Sequence, residues 1–191
     1  AFSNIMNILA LFFMAYYLVL ERPKLHRYLL RLFDDDKNRE ARAESLVLAV
    51  ERQVGGWVRG ELLLMLIIGI MTYISLILLG IPYALPLAVL AGILEAVPNL
   101  GPTIAAIPAI MLGLTVSPII GIGALIASII IQQVESNWIV PKVMQSATGT
   151  EPLVTIVVLL VGFTLGGIAG AVLSMPIYLT VQTVLTAINK K

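Results

Sequence analysis

The 191-residue chain has no cysteine, a single histidine and few charges, since Asp, Glu, Lys and Arg make up only 12% of it. Without cysteine, disulfides and thiolate chemistry are excluded. An ordinary soluble domain carries about 25% charged residues, so the composition does not fit a protein made for water. The sequence also lacks a phosphate-binding P-loop, an HExxH zinc pair and a GxSxG elbow, and gives no support to ATP-driven transport or hydrolysis. We expect no enzyme, no cofactor and no bound metal.

Hydrophobic residues dominate instead, at 59% of the chain with a mean hydropathy of +1.00. A net charge of +1 gives no reason to expect a nucleic acid as partner. Charge is rare over the long stretch 62–189, where the charged residues are Glu95, Glu135, Lys142 and Glu151. The composition predicts an all-α integral membrane protein, a polytopic helical bundle in contact with the lipid bilayer.

The N-terminal part of the chain divides into an apolar and a polar segment. Residues 1–20 are long enough to span a bilayer core of about 30 Å and are predicted to form a transmembrane helix. Residues 21–61 contain nine Lys and Arg residues, and apolar positions such as Leu46, Val50 and Val54 recur at helical spacing. This segment is therefore predicted to be an amphipathic helical insert. Because Lys and Arg concentrate on the cytoplasmic side of membranes, we expect the insert and the C terminus to be cytoplasmic.

The next segment, residues 62–115, combines one full span with two short arms. Residues 62–81 are apolar throughout and long enough to cross the membrane. The following arms, 83–97 and 103–115, reach only about 22 and 20 Å as helices, less than the hydrocarbon thickness of about 30 Å. They are joined by Pro98-Asn99-Leu100-Gly101-Pro102, which ends both helices. We predict a re-entrant hairpin whose irregular backbone is enclosed by protein or lines a wet cavity.

Residues 118–191 repeat this layout. A third span, 118–134, and a polar connector, 135–152, precede a short apolar arm, the pair Gly166-Gly167 and a return that contains a proline. From a cytoplasmic residue 61, the first hairpin enters the membrane from outside and the second from inside, which is the inverted-repeat arrangement of secondary transporters. Four arms that each cross the membrane completely give the same positions for the chain ends, so charge alone leaves re-entrant and fully spanning arms both open.

Glu95 is the strongest candidate for a functional residue in the apolar region. A charged side chain at the centre of a membrane helix costs about 2.5 to 3.5 kcal/mol, and ionisable residues there usually serve as proton, cation or substrate sites. Glu95 and Asn99 lie on a stripe of small and polar residues before the hairpin tip, and Thr103 begins a second stripe after it. The structural alternative is a protonated Glu95 held by backbone amides at the tip.

Glu135 and Lys142 form a second polar pair, at the inner end of the third span. Water is near at that position, so the sequence fits a solvated interfacial pair as well as a cytoplasmic gate. Asn137 and Pro141 lie between the two charges and shape the turn.

Three ordered stretches give the chain a resemblance to a known family. The stretches that resemble the autoinducer-2 exporter family of bacterial and archaeal membrane proteins are ILEAVPNLGPTIAAIPAI, QQVESNWIVPKVM and EPLVTIVVLLVGFTLGGIAGAVLSMPI. The resemblance covers essentially the whole chain and implies a permease-like protein about twice this length. By motif matching, the family's Pro-x-x-Gly tip falls on Pro98, Gly101 and Pro102. Its Gln-x-x-Glu-x-Asn motif with Pro-Lys falls on Gln132, Glu135, Asn137, Pro141 and Lys142.

The resemblance implies export of small, mostly hydrophilic molecules such as the autoinducer-2 signal by a secondary mechanism. Some relatives are assigned sodium or lithium/proton antiport, which gives a second functional class. The resemblance further implies a homo-oligomer in the cell membrane of a prokaryote, with a small molecule or a cation as substrate. In a third interpretation the chain is a scaffold that does not transport, or a pore, and the polar stripes serve only helix packing.

Overall fold

The computed structural model describes residues 39–97, 100–147 and 152–189, and the regular structure in these residues is helical. The helices are α1 (Arg39–Leu78), α2 (Ala84–Leu94), α3 (Leu100–Val116), α4 (Pro118–Val134), α5 (Val140–Ala147) and α6 (Pro152–Asn189). A π-helical segment, Glu135–Ile139, connects α4 to α5. The predicted span at residues 1–20 lies outside the described residues.

Three helical stretches are long and apolar enough to cross a membrane, namely Glu40–Leu78, Pro118–Met144 and Leu153–Ala187. Two shorter helices, Ala84–Leu94 and Gly101–Val116, are apolar as well. Many large apolar side chains of these helices are exposed, as is normal for surfaces that face lipid. The predicted class, an all-α membrane protein, is confirmed.

The described residues form two compact units. We call the described part of residues 55–155 the bundle unit, and residues 39–54 together with 156–189 the hairpin unit. Helix α1 contributes to both units, because it runs without a break through residue 61. Residues 39–61 of the polar segment and the apolar span after them are therefore parts of one 40-residue helix.

Gly80, two residues after the last residue of α1, has a left-handed backbone (φ 67°) that terminates the helix. The Gly80 N–H donates to the Ile77 carbonyl at 2.9 Å, and the Ile81 N–H donates to the Leu76 carbonyl at 3.0 Å. These two bonds define a Schellman motif, which favours glycine because a Cβ is disfavoured in that conformation. The side chains of Leu76 and Ile81 are both buried in the core of the bundle unit. That core also contains Leu87, Ala109 and Ala124.

Consecutive helices of the bundle unit pack closely through glycines. A Cβ placed on Gly92 of α2 would lie 2.7 Å from the carbonyl oxygen of Met65 in α1. A Cβ placed on Gly113 of α3 would lie 3.0 Å from the Cα of Gly121 in α4. Helix α4 starts at once after α3, because Ser117 acts as its N-cap and accepts from the Ile120 N–H at 3.2 Å. Short turns and close contacts make α1, α2, α3 and α4 successive antiparallel neighbours.

In the hairpin unit, α6 is interrupted at Gly166 and Gly167, and Gly167 has a positive φ of 60°. The arms on either side fold back on each other, because a Cβ on Gly162 would lie 2.5 Å from both the Gly170 carbonyl oxygen and the Ser174 Cβ. The sequence placed the tip of the second hairpin at these two glycines. The re-entrant depth of either hairpin and the inverted repeat stay predictions.

Candidate functional site

The tip of the first hairpin is held between the end of α2 and the start of α3. Glu95 continues the helical backbone of α2 as its C-terminal cap. The Gly101 N–H donates to the Val97 carbonyl at 2.9 Å, which ties α3 to the end of α2. Gly101 has no room for a side chain, because a Cβ would collide with the Leu94 carbonyl oxygen. The proline-rich sequence thus produces a turn in which two backbones nearly touch.

Glu95 is fully buried beside this turn, with 0% of its surface exposed. Within the described residues, neither of its carboxyl oxygens has a hydrogen-bond partner. The structural alternative from the sequence, a carboxyl held by backbone amides, is therefore not seen among those residues. A buried polar group without a partner is rare in folded proteins and asks for a functional explanation.

Two further carboxyls are buried in the bundle unit. Glu135 is the first residue of the π-helical segment and is 1% exposed, and Glu61 of α1 is 4% exposed. The Glu95 carboxyl lies within hydrogen-bonding reach of the Glu135 carboxyl and interacts electrostatically with Glu135 and, to a smaller extent, with Glu61. While both carboxyls are ionised, neither can donate to the other, and the oxygens of Glu95 then have no donor among the described residues. Five of the six carboxyl oxygens in these three residues are buried and have no hydrogen-bond partner in the part of the chain that the structure describes. We call Glu61, Glu95 and Glu135 the carboxyl cluster.

The antiparallel packing of α1 and α2 explains why Glu61 and Glu95 lie at the same end of the bundle unit. Gly92 packs against Met65, which fixes the register of the two helices. Glu95 follows Gly92 by three residues, and Glu61 precedes Met65 by four. Because the helices run in opposite directions, both steps of about one turn point the same way.

A side-chain hydrogen bond brings the end of α4 to the same place. The Gln132 amide nitrogen donates to the Thr103 hydroxyl oxygen at 2.9 Å. Thr103 lies in the first turn of α3, next to the hairpin tip, and Glu135 follows Gln132 by three residues. The bond therefore joins the two groups of residues that the sequence singled out separately, the hairpin tip and the Gln-x-x-Glu-x-Asn motif.

The carboxyl cluster concentrates negative charge in an apolar surrounding. Moving even one isolated carboxylate out of water costs far more than a typical protein stability, and nearby like charges add to that cost. The cluster must therefore carry protons or a cation as long as it is shielded from water. Within the described residues no group of three or more His, Cys, Asp and Glu side chains has the geometry to hold a metal ion.

The other predicted site residues lie on more exposed surfaces. Asn137 is exposed in the π-helical segment, where its amide nitrogen donates to the Gln133 carbonyl at 2.8 Å. Pro141 and Lys142 are exposed on α5, and Pro102 is half-buried at the start of α3. Pro98 and Asn99 lie outside the described residues. The structure thus brings Glu95 and Glu135 together but leaves Lys142 at the surface.

Glu61 is the residue that the sequence interpretation missed, because it was counted among the charges of the polar insert. The signal that identifies it is helical spacing. Trp57, Leu64 and Ile68 are all buried on one face of α1, and Glu61 falls on that face at steps of four, three and four residues. An acidic residue at the edge of a span, on the same helix face as core residues, is therefore a candidate functional residue, as an acidic residue in the middle of a span is.

The hairpin unit contains a cavity of about 530 Å³ between the first turns of α1 and the last turns of α6. Its polar lining includes Arg42, Gln53 and Gln182. Arg42 donates to the Ala187 carbonyl at 3.4 Å, near the C-terminal end of α6. None of the predicted site residues lines this cavity.

Comparison with known proteins matches nearly the whole chain. A family model described as AI-2E family transporter covers residues 2–190. "Putative transport protein YueF" of Bacillus subtilis is 35% identical over 130 residues, which are 68% of this chain and 35% of the relative. "Putative transport protein YrrI" of the same organism is 30% identical over 183 residues, 92% of this chain and 51% of the relative. The chain spans about half the length of the curated relatives that it matches most completely.

Proposed function

The chain belongs to the AI-2E transporter family, and from this membership we propose that the protein exports small hydrophilic molecules of the autoinducer-2 type by a secondary mechanism. Membrane transport is the activity that the family and the names of the relatives share. The substrate class, the direction and the mechanism are the proposal. They concern the full-length protein, since the chain covers about half of its relatives.

The burial of Glu95 carries this proposal. The residue is 0% exposed and has no hydrogen-bond partner among the described residues, in a helix that is otherwise apolar. A glutamine of the same size fits such a position without the energetic penalty of a buried charge, so packing does not account for a carboxyl here. A group that changes its charge during a transport cycle does account for it.

In the proposed mechanism Glu95, Asn99 and Thr103 line the site at the tip of the first hairpin. The start of α3 supplies the positive end of a helix dipole, which suits the oxygen atoms of a hydrophilic substrate. Glu95 exchanges a proton or cation as the substrate binds and leaves. Transport is driven by that gradient or by the substrate gradient alone.

A cytoplasmic gate formed by Glu135 and Lys142 completes the mechanism. The π-helical segment Glu135–Ile139 lies between these two residues. Single π-helical turns within α-helices are often found at functional sites, because their hydrogen bonds are weaker and their register can shift. A change in that segment moves Glu135 relative to the tip, while Lys142 stays in contact with water.

The alternative is sodium or lithium/proton antiport, in which a cation is the only cargo. The carboxyl cluster is compatible with the proton-binding step of this alternative, because buried carboxyls that face one another suit an exchange of positive charges.

Flux measurements on the reconstituted full-length protein test both functions. Glu95→Gln removes the titratable group and keeps the side-chain volume, so we expect pH-coupled flux of an autoinducer-2-type substrate to be abolished. Glu44→Gln is the matched control, because Glu44 is exposed on α1, and it should transport like the wild type. Unchanged pH-coupled flux in Glu95→Gln contradicts the assignment of Glu95.

Three other results separate the remaining functions. Flux of sodium or lithium against protons, without any organic substrate, favours the antiporter. Flux that follows the substrate gradient through an always open path indicates a pore. No flux of any kind indicates a scaffold.

We also propose a homo-oligomer in the cell membrane of a prokaryote, with residues 21–61 and the C terminus on the cytoplasmic side. Nine Lys and Arg residues in this segment support the orientation. These 191 residues contain no cysteine, so an introduced cysteine is the one thiol in this part of the protein. A cysteine introduced by Glu44→Cys should react only from the cytoplasmic side, and Asn99→Cys from the outside if the hairpin is re-entrant.

A further inference from the structure

We propose that the carboxyl cluster binds the proton that couples transport, and that Glu61 shares this proton with Glu95 and Glu135. The link to transport rests on the function proposed above, whereas proton binding itself is measured separately below. The inference assigns a role to Glu61, which no motif identifies.

Burial provides the first step of the argument. Glu61, Glu95 and Glu135 are 4%, 0% and 1% exposed. Both oxygens of Glu61, both oxygens of Glu95 and one oxygen of Glu135 have no hydrogen-bond partner within the described residues. Buried acceptors that no donor among the described residues satisfies point to a ligand that donates hydrogen bonds or carries positive charge.

The charges around the cluster provide the second step. The three carboxyls of the cluster come from different helices and face one another: Glu61 from α1, Glu95 from the end of α2, and Glu135 from the end of α4. Helix α3, which packs against α2 and α4, contains no titratable residue. The basic residues nearest in sequence, Arg59 and Lys142, are both exposed. The negative charges therefore face one another across the helix interfaces, and a proton held between two carboxyls relieves their repulsion.

Geometry favours a proton over a metal ion. A metal ion needs several oxygens at bonding distance from one point, and the described residues contain no such group of side chains. A proton needs only two neighbouring carboxyls. In each transfer the O–H bond of the donor carboxyl breaks as an O–H bond forms on the acceptor. The total charge of the cluster changes by one unit each time it gains a proton from water or loses one to water.

The position of Glu61 makes it part of the same proton site. It lies about one helical turn before Met65, and Met65 packs against Gly92, about one turn before Glu95. Both Glu61 oxygens are buried, and the Glu61 carboxyl interacts electrostatically with Glu95 and Glu135. Removing the Glu61 carboxyl therefore removes one of the three negative charges that hold the proton.

Carbodiimide labelling of the full-length protein in detergent tests proton binding without transport. A hydrophobic carbodiimide reacts with protonated carboxyls in apolar surroundings, and mass spectrometry locates the modified residue. We expect labelling at Glu61, Glu95 or Glu135 that decreases as pH rises and that does not respond to sodium or lithium. Protection by sodium or lithium equal to that by high pH overturns the proposal in favour of a metal-ion site, and so does a lack of labelling at every pH.

Flux through Glu61 variants tests the coupling. With Glu61→Gln we expect the stimulation of flux by a pH gradient to decrease about tenfold, a usual size for coupling between two sites, while flux down a substrate gradient persists. Glu61→Asp keeps the carboxyl and should retain most of the stimulation, and Glu44→Gln serves as the exposed control. Full stimulation in Glu61→Gln overturns the role of Glu61. If the wild type shows no flux but the labelling result holds, the proposed function fails and the proton site stands.

Discussion

The two hairpins of the chain differ in whether a buried polar side chain is hydrogen-bonded. In the hairpin formed by α2 and α3, Glu95 is fully buried and has no hydrogen-bond partner among the described residues. In the hairpin within α6, Ser174 is also buried, but its hydroxyl donates to the Ala171 carbonyl at 2.7 Å. The second hairpin satisfies its polar group within one helix. The first leaves an acceptor that no donor among the described residues satisfies, which is why the proposed chemistry is assigned to it.

The glycines at the two tips also differ, in the space around them and in their backbone angles. A Cβ on Gly101 of the first tip would collide with backbone, whereas a Cβ on Gly166 of the second meets no atom within 4 Å among the described residues. Gly167 requires glycine for a different reason, its positive φ of 60°. The first tip is thus defined by close packing and the second by backbone conformation.

The largest expected effect is at the first tip, and the same substitution at the second tip is its control. Gly101→Ala forces a methyl group into the Leu94 carbonyl and should reduce the free energy of unfolding by about 3 kcal/mol or more. Gly166→Ala should change it by less than about 0.5 kcal/mol. Thermal unfolding of the full-length protein in detergent measures both. Equal effects at the two positions contradict the distinction between the tips.

A smaller effect is expected at the neighbouring glycine. Gly167→Ala must hold a side chain at a backbone conformation that is nearly restricted to glycine, with φ 60° and ψ −142°, and should cost about 1 to 3 kcal/mol. The same unfolding measurement, with Gly166→Ala as the adjacent control, separates conformation from space. A stability equal to that of the control indicates that the second tip has relaxed to another turn.

The smallest effect concerns polar contacts. Thr103→Val removes the hydrogen bond with Gln132 and should cost about 1 kcal/mol. A double-mutant cycle with Gln132→Leu should assign most of that loss to the pair. In the second hairpin, Ser174→Ala should cost less, about 0.5 kcal/mol, because its bond stays within one helix. Additive losses in the cycle show that the 2.9 Å contact contributes nothing to stability.

Much of the local structure follows from the sequence, and the reasons are local. The third span was predicted at 118–134 and α4 occupies the same residues, because a serine and a proline at its start form an N-cap and a first turn. The interruption at Gly166 and Gly167 was readable because two adjacent glycines weaken a helix. The continuity of α1 through residue 61 was not readable, since the change from polar to apolar residues alters which side faces lipid but does not alter the backbone.

The candidate site was only partly readable. Glu95 and Glu135 stood out as charges in apolar stretches, but the sequence assigned them to separate features, a tip and a gate. Their proximity depends on the antiparallel packing of α1, α2, α3 and α4 through small residues. Glu61 was hidden among seven other acids of its segment. It is buried in line with Trp57, Leu64 and Ile68, whereas Glu40, Glu44 and Glu51 are exposed.

The sequence by itself determined the lipid environment, the helical secondary structure and the family of this protein. Those properties depend on composition and on neighbours within a few turns of helix. The tertiary structure alone decided that three glutamates from different helices share one buried location. That outcome depends on helix register, which is set where Gly92 meets Met65 and where Gln132 meets Thr103. Contacts between residues about 30 positions apart produce no periodic pattern in a single sequence. They are nevertheless what brings glutamates from separate helices together.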